Sequence, residues 1–371
     1  MMRNLMSWLC VMAALFSGAA DGQDAKPSEK DGSLLQKTIF KAGKGGYHTY
    51  RIPAILVTQK GTALAFCEGR KNSGSDIGNI DLVLRTSRDG GVTWDAMRVI
   101  HDDGENTIGN PCPILDRDTG VVWLLFCRNN QQVFVTSSSD DGQTWAAPAE
   151  ITKDVKPADW GWYATGPCHG IQLRSGRMLA PCDHKVVGPA PNHRYSHVIY
   201  SDDHGKTWKL GGSLPEGTDE CVAVEGDDGA VYLNTRGDHK NGRAVAWSRD
   251  GGLTWSEVRH DAVLQEPVCQ GSAVRLTGAE KHGKSRILFS NPGALFRVNM
   301  TVRLSYDGCQ TWAVSRSLWE GPSAYSDLCV LPDMKIGCLY ERGKWRPYET
   351  ITFALFDLPW LTAGKDEIAG K

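Results

Sequence analysis

The stretch SRDGGVTW, residues 87–94, decides the fold because it recurs along the chain. The pattern Ser-x-Asp-x-Gly-x-Thr-Trp returns at 138–145, 201–208 and 248–255, and a fifth copy at 305–312 has Cys309 in place of the glycine. The tryptophans that end the five copies are 47 to 63 residues apart. Repetition at this period is typical of propeller blades, each built from four strands.

Each copy of the motif, called here the Asp box, follows a strand-like stretch such as DLVLRTS (81–87) or SHVIYS (196–201). Aspartate and glycine suit a tight turn, in which the carboxylate accepts backbone N–H bonds. The closing tryptophan is expected to pack between neighbouring strands. We interpret the box as a structural turn, because a calcium loop would need further acidic ligands that the box lacks.

Helical periodicity is almost absent, and strand-like segments continue to about Leu358. Five boxed blades and an unmarked blade from about residue 317 to 358 predict an all-β fold, a six-bladed β-propeller with Asp-box repeats over residues 36–360. The strand at 38–40 is expected to close the last blade. Residues 361–371 are expected to form a C-terminal tail.

The N-terminus has the features of a signal for export. Arg3 is followed by an apolar run at 5–16 and by small residues at 17–20, which predicts a signal peptide over residues 1–20. Residues 21–35 are predicted to be a disordered linker. The mature protein is expected to be exported, secreted or periplasmic, without a membrane span. The full chain has a net charge of −2, which gives no reason to expect nucleic acid as a partner.

The ten cysteines of the mature chain leave two interpretations open. Export permits disulfides, but most of the cysteines lie in apolar strand-like contexts that suit buried thiols. The stretch GAEKHGKS (278–285) satisfies the P-loop pattern, yet it lies between strand-like SAVRL and RILFS rather than before a helix. We interpret it as a chance match in a hairpin loop. No cofactor and no metal site is predicted.

Arg51 lies in GYHTYRIPAIL, residues 46–56, where its guanidinium either reaches solvent or binds an anion. Together with the five boxes, this Arg-Ile-Pro sequence resembles the exo-sialidase (neuraminidase) family, whose members are six-bladed propellers with the site at the central axis. The resemblance implies three arginines that bind the carboxylate of sialic acid, because forked, permanently charged donors suit it. Arg51, Arg236 in LNTRGD and Arg297 in ALFRVN match these three arginines.

The resemblance also implies the catalytic residues. Tyr325 in PSAYSDL matches the nucleophile of the family, and a neutral tyrosine suits a substrate whose own carboxylate would repel a carboxylate nucleophile. Glu220 matches the general base for this tyrosine. Asp76, on the loop KNSGSDIGN, matches the acid that protonates the leaving oxygen. Asp81 is the alternative acid, although it looks like the first residue of a strand.

Three more residues match supporting positions of the family. Arg70 matches an arginine that contacts a sugar hydroxyl, and Asn110 stands where the family often has an aspartate near another hydroxyl. Glu341 matches an acidic residue that braces the first arginine, with Glu68 as the alternative. Pocket lining and packing between strands remain equally open for a further group: Trp160, Trp162 and Tyr163.

The expected function is that of a secreted retaining exo-α-sialidase, which hydrolyses terminal sialic acids from sialylated glycans through a tyrosine nucleophile. A trans-sialidase would use the same residues and differ in its acceptor. A non-catalytic sialic-acid-binding lectin is the alternative from another class. Such a lectin would need the three arginines but not Tyr325, Glu220 and Asp76 together.

Overall fold

The structure is a computed structural model that describes residues 33–188, 193–237 and 241–368. Within these ranges it has 24 strands and only three helices, each of four or five residues: α1 (Thr152–Val155), α2 (Ala279–His282) and α3 (Leu358–Thr362). None of these helices is long and apolar enough to cross a bilayer. The predicted signal peptide, 1–20, and most of the predicted linker lie outside the described residues.

Four antiparallel sheets follow one another along the chain, and neighbouring strands of each sheet are mostly consecutive in sequence. Their strands are β2 (Thr49–Val57), β3 (Ala63–Arg70), β4 (Ile80–Ser87) and β5 (Arg98–His101); β6 (Ile108–Leu115), β7 (Val122–Arg128), β8 (Gln132–Ser138) and β9 (Ala149–Glu150); β10 (Trp160–Thr165), β11 (Ile171–Gln172), β12 (Met178–Val186), β13 (Arg194–Ser201) and β14 (Lys209–Ser213); and β15 (Thr218–Glu225), β16 (Val231–Gly237), β17 (Arg243–Ser248) and β18 (Arg259–Asp261).

The other strands form one sheet of seven strands, in the order β1-β24-β23-β22-β21-β20-β19. These strands are β1 (Leu34–Lys41), β19 (Ser272–Thr277), β20 (Arg286–Pro292), β21 (Val298–Ser305), β22 (Val314–Val330), β23 (Ile336–Arg342) and β24 (Thr350–Phe356). The first part of β22, residues 314–322, pairs with β21, and the second part, 323–330, pairs with β23.

The all-β propeller is therefore confirmed, but the described residues form five hydrogen-bonded sheets where the sequence predicted six. The reason is that the chain passes from the fifth box into the next set of strands as one continuous 17-residue strand, β22. The predicted closure by the N-terminal strand is present, since β1 pairs with β24 and Thr38 lies opposite Thr352.

The ends of the fold differ by a few residues from the predicted limits. β1 begins at Leu34, inside the predicted linker. At the other end, α3 buries Trp360 and Leu361 against the seven-stranded sheet. Beyond this helix, Asp366 binds Arg286 at 2.7 Å, so the packed structure continues past residue 360.

The Asp boxes are structural turns, as predicted. In the first box, Asp89 accepts hydrogen bonds from the Thr93 backbone and the Ser87 hydroxyl, both at 2.8 Å. Gly91 has a φ of 88°, and a Cβ there would meet the Phe353 ring at 2.2 Å. In the fifth box, Cys309 takes the same left-handed conformation with a φ of 68°. The box thus closes a turn that packs directly against a neighbouring sheet.

Two other sequence interpretations can be compared with the structure. All ten cysteines from Cys67 to Cys338 are buried thiols. The P-loop-like stretch is the connection between the paired strands β19 and β20, and its α2 has only four residues. It lacks the following helix that a phosphate-binding loop requires.

Candidate active site

Bulges in four strands bring the predicted site residues together. In β2, β6, β15 and β22 the pairing register shifts, so that two residues on each strand have no regular partner. A bulge of this kind re-aims side chains. The unpaired residues that line one common cavity of about 450 Å³ include Ile52, Asn110, Glu220 and Tyr325.

Two of these bulges contain a residue with positive φ directly before a proline. Ile52 and Asn110 both have a φ of 59°, and this conformation is strained for a β-branched isoleucine. A buried carboxylate holds each bulge, because Glu341 accepts the Ile52 N–H and Glu68 accepts the Asn110 N–H, both at 3.0 Å. Strain at this end of the strands is a common property of functional sites.

Tyr325 is buried in the wall of the cavity, and its hydroxyl contacts both the Glu220 carboxylate and the Arg236 guanidinium. It donates a short hydrogen bond to Glu220 Oε1. Arg236 Nη1 donates to the same hydroxyl at 2.9 Å and to Glu220 Oε2 at 2.8 Å. The predicted pairing of Tyr325 with Glu220 is therefore present, and Arg236 contacts both residues.

Burial raises the pKa of Tyr325 well above its usual value, and the Glu220 charge adds to this effect. The positive charges of Arg236, Arg297 and Arg51 act in the opposite direction but do not outweigh burial. The hydroxyl therefore keeps its proton at neutral pH. Its hydrogen bond to Glu220 supplies a route by which this proton can leave.

Arg51 and Arg297 lie on the faces of the Tyr325 ring, with guanidinium carbons 5.0 and 5.4 Å from its centroid. Arg51 Nε donates to Glu341 at 2.7 Å, and Arg297 donates to the Tyr348 hydroxyl at 2.7 Å. The contact between Glu341 and Arg51 is the one the sequence predicted. The three arginines thus surround the tyrosine from different strands and loops.

Arg70 links Asp76 to the buried part of the site. Its guanidinium binds Glu68 Oε2 at 2.7 Å on one side and Asp76 Oδ1 at 2.7 Å on the other. The alternative role of Glu68, bracing Arg51, is not the one it takes. Loss of solvent around the carboxylate opposes ionisation of Asp76, but the Arg70 and Arg51 charges outweigh it and hold the pKa of Asp76 below its usual value.

Asp81 does not share this environment. It is buried at the start of β4, where the Tyr47 hydroxyl donates to it at 2.6 Å and Lys71 binds it at 3.1 Å. The Asp76 side chain, in contrast, is 82% exposed and lines the cavity. Of the two candidate acids, only Asp76 lies where a leaving group could reach it.

Comparison with known proteins agrees with this geometry. A family model described as a BNR repeat-like domain matches residues 61–338. A sialidase of Micromonospora viridifaciens is 35% identical over 97% of this chain and 60% of that protein. An exo-alpha-sialidase of Aspergillus fumigatus is 31% identical, with 93% of each chain covered. The chain belongs to the exo-sialidase family.

A solved structure within this sialidase family has a similar fold. The Hadza microbial sialidase superposes with a TM-score of 0.81 at 31% identity, over 88% of this chain and 69% of that chain. The present chain spans about 60% of the length of the Micromonospora viridifaciens and Bacteroides fragilis sialidases. The similarity therefore covers only part of each of those two proteins.

In this member of the sialidase family, the three aromatic residues on β10 differ in their roles. Two of them pack between strands, and one lines the cavity. Trp160 is stacked on His184 with ring centroids 3.3 Å apart, and Tyr163 is fully buried, so both pack inside the sheet region. Trp162 lines the cavity. A register shift between Trp160 and Trp162 separates their environments.

The sequence interpretation missed several residues at the site, four of which are charged or aromatic. Asp219, next to Glu220, binds Arg194 and lies 3.4 Å from Arg236 Nε. Tyr348 lies under Arg51, whose guanidinium is 4.1 Å from the ring centroid. Asp219 could have been suspected from its place in TDEC, but nothing in the local sequence marks the others: Lys185, Arg194 and Tyr348.

Proposed function

We propose that this protein is a secreted, retaining exo-α-sialidase that hydrolyses terminal sialic acids from glycoproteins, glycolipids and oligosaccharides. The observation that carries the proposal is the Tyr325 hydroxyl bound to both Glu220 and Arg236, with Arg51 and Arg297 against its ring. A propeller that only bound sialic acid would have no use for a base on a tyrosine. Export rests on the predicted signal peptide at residues 1–20.

We count the propeller as six blades, with β22 as the outer strand of the fifth and the inner strand of the sixth. A second cavity of about 250 Å³ supports this count, because six chain segments line it. These segments are 55–57, 115–117, 169–172, 224–225, 273–275 and 328–330. Six segments around one axis are what a six-bladed ring requires.

In the proposed mechanism, Arg51, Arg236 and Arg297 bind the substrate carboxylate. Arg297 is suited to this role, because its Nη atoms contact only the Tyr348 hydroxyl and the Val268 carbonyl among the described residues. Its positive charge therefore remains available for an anion. Arg51 and Arg236 are held in place by Glu341 and Glu220.

Tyr325 attacks the anomeric carbon while the bond to the leaving oxygen breaks. The phenolic proton passes to Glu220 as the new C–O bond forms, because the high pKa of Tyr325 makes a preformed phenolate scarce. Asp76 gives its proton to the leaving oxygen. The products of this step are the free aglycone and a sialosyl-tyrosine.

Water completes the reaction in a second displacement. Ionised Asp76 removes a proton from the water, the oxygen attacks the anomeric carbon, and the Tyr325 oxygen leaves and recovers its proton from Glu220. Two successive inversions at one carbon give net retention. The substrate carboxylate also offsets the arginine charges that lower the pKa of Asp76, which favours the protonated acid in the complex.

The test uses a fluorogenic α-sialoside and proton NMR of the first sugar anomer released. We expect hydrolysis by the wild type with the α-anomer as the initial product. Tyr325→Phe should lose at least about three orders of magnitude in kcat, as for removal of a nucleophile, while the matched variant Tyr200→Phe on β13 keeps full activity. Sialoside binding without hydrolysis between pH 4 and 8 would instead favour the lectin alternative.

A further inference from the structure

The ionic groups of the cavity are mostly paired with each other. Four arginines each have a carboxylate partner, and the described pairs are Arg51 with Glu341, Arg70 with Glu68, Arg236 with Glu220, and Arg194 with Asp219. Paired charges of this kind hold one another in position. Each of these guanidinium groups therefore has part of its donors occupied by a carboxylate before a ligand binds.

Two cations at the cavity have no carboxylate partner among residues 33–188, 193–237 and 241–368. One is Arg297, which the proposed mechanism uses for the substrate carboxylate. The other is Lys185, which lines the same cavity on the third sheet and is half-buried. Its ammonium lies 5.2 Å from the centroid of the Trp162 ring. A partly buried ammonium that lies against an aromatic face and has no ion-pair partner retains donors for a ligand.

Lys185 is fixed in place by a row of side chains across three strands. It pairs in register with Trp162 on β10 and with Arg194 on β13. Arg194 in turn binds Asp219 at the edge of the next sheet. Strand pairing, rather than a loop, therefore defines the backbone position from which the Lys185 side chain extends.

The nearby carboxyl groups leave the positive charge of this row unbalanced. Burial and the charges of Asp219 and Glu220 raise the pKa of Asp183 well above its usual range, which disfavours a negative charge at this carboxyl. Asp219 is already bound by Arg194 and lies close to Arg236. Lys185 thus stands beside a second cation with no free anion to offset it.

We propose that Lys185, held against Trp162, is a specificity-determining residue that donates hydrogen bonds to oxygen atoms on an arm of the sugar remote from its carboxylate. The proposal rests on the proposed function, since the carboxylate and the anomeric carbon are assigned to Arg297 and Tyr325. A nine-carbon sugar acid has two such arms, its N-acyl group and its polyol chain. Both present the carbonyl or hydroxyl oxygens that an ammonium recognises.

The test compares kcat/KM for three α-sialosides in the wild type and in Lys185→Met, which keeps the apolar stem but removes the charge. One substrate is intact, one has its polyol chain shortened by two carbons, and one has a hydroxyl in place of the N-acyl group. We expect the wild type to lose on the order of 10- to 100-fold on one altered substrate, as for a hydrogen bond from a charged group. On the intact substrate, Lys185→Met should have a kcat/KM that is lower than that of the wild type by the same factor. On that altered substrate, Lys185→Met and the wild type should have the same kcat/KM.

The pattern of the results decides both the residue and the arm. The altered sialoside on which wild type and Lys185→Met become equal identifies the arm. If the ratio between wild type and variant is the same for all three substrates, the proposal is overturned. The control Lys209→Met, an exposed lysine on β14, should behave as the wild type.

Two further measurements keep the proposal testable. Thermal unfolding should show Lys185→Met to be as stable as the wild type. If Lys185→Met does not fold, the comparison is made with Lys185→Gln. If the wild type hydrolyses no sialoside, the proposed function fails. In that case calorimetry compares the Kd of free sialic acid for the wild type and for Lys185→Met. An equal Kd in both proteins overturns the role of Lys185.

Discussion

Asp327 connects four segments of the chain through one buried carboxylate. Its Oδ2 accepts the backbone N–H groups of Ile55 at 2.8 Å and His169 at 3.1 Å. Its Oδ1 accepts the Ser272 hydroxyl at 2.8 Å and lies 2.7 Å from His169 Nδ1. Because Asp327 is two residues after Tyr325 on β22, these bonds also anchor the strand that carries the proposed nucleophile.

We expect Asp327→Ala to lower the free energy of unfolding by roughly 3 to 5 kcal/mol. Two backbone N–H groups would lose their acceptor, at roughly 1 to 3 kcal/mol each. The His169 ring would also lose its buried counter-charge. Asp327→Asn should cost less, roughly 1 to 3 kcal/mol, because the amide oxygen can still accept two hydrogen bonds. Urea unfolding followed by tryptophan fluorescence measures both values.

The effect should depend on pH in a defined direction. Burial alone would lower the pKa of His169, but the Asp327 charge outweighs burial and raises it. A raised pKa in the folded state gives stabilisation that is complete below the unfolded pKa, about 6.5, and is lost as the pH rises through the folded value. The gap between wild type and Asp327→Asn should therefore be larger at pH 5.5 than at pH 8.5.

The matched control is Asp333→Asn, an exposed residue in the turn after β22, whose ion pair with Lys335 should contribute less than about 1 kcal/mol. A pH-independent gap for Asp327→Asn, or a loss below about 1 kcal/mol for Asp327→Ala, would refute this reasoning. Either result would mean that the Asp327 carboxylate does not stabilise the contact between these segments.

Three more predictions concern the site and the boxes. Glu341→Gln should lower kcat/KM by on the order of 100-fold in initial-rate assays, because one amide oxygen cannot serve both Arg51 and the backbone N–H groups of Ile52 and Tyr325; a loss under about threefold would contradict this. Arg70→Gln should move the alkaline limb of the pH profile of kcat/KM to higher pH, since the pKa of Asp76 rises without the arginine; an unmoved limb would mean another acid. Gly91→Ala should lower the unfolding midpoint by several degrees, measured by calorimetry, because its φ is positive and an aromatic ring fills the space; an unchanged midpoint would contradict the close packing.

The fold could be predicted because its main signal is local and repeated. Each Asp box carries its own turn chemistry, so five copies such as 87–94 indicate five equivalent sets of strands. The number of separate sheets could not be predicted, because it depends on whether a strand ends between two sets of strands or continues from one set into the next. Continuous pairing along β22 joins two sets into one sheet, and no residue within 314–330 marks this in advance.

The parts of the site with a motif could be placed, and those without one could not. Arg51 and Tyr325 lie in recognisable contexts, and the structure brings them together. Tyr348 reaches the site from the loop between β23 and β24, and Lys185 reaches it from a strand that pairs with β10 and β13. Both positions depend on contacts between distant parts of the chain. Trp162 shows the same limit, since a bulge after Trp160 interrupts the alternation that would otherwise assign both residues to one face.

The central claim, that Tyr325 is the nucleophile, is tested most directly by trapping the covalent intermediate. The protein would be incubated with a 2,3-difluorinated sialic acid, in which the fluorine at the third carbon slows hydrolysis of the sialosyl-enzyme. Mass spectrometry of the digested protein should then locate one sialosyl group on Tyr325, and Tyr325→Phe should remain unlabelled. A label on Glu220 or Asp76, or no label on a wild type that hydrolyses sialosides, would contradict the account.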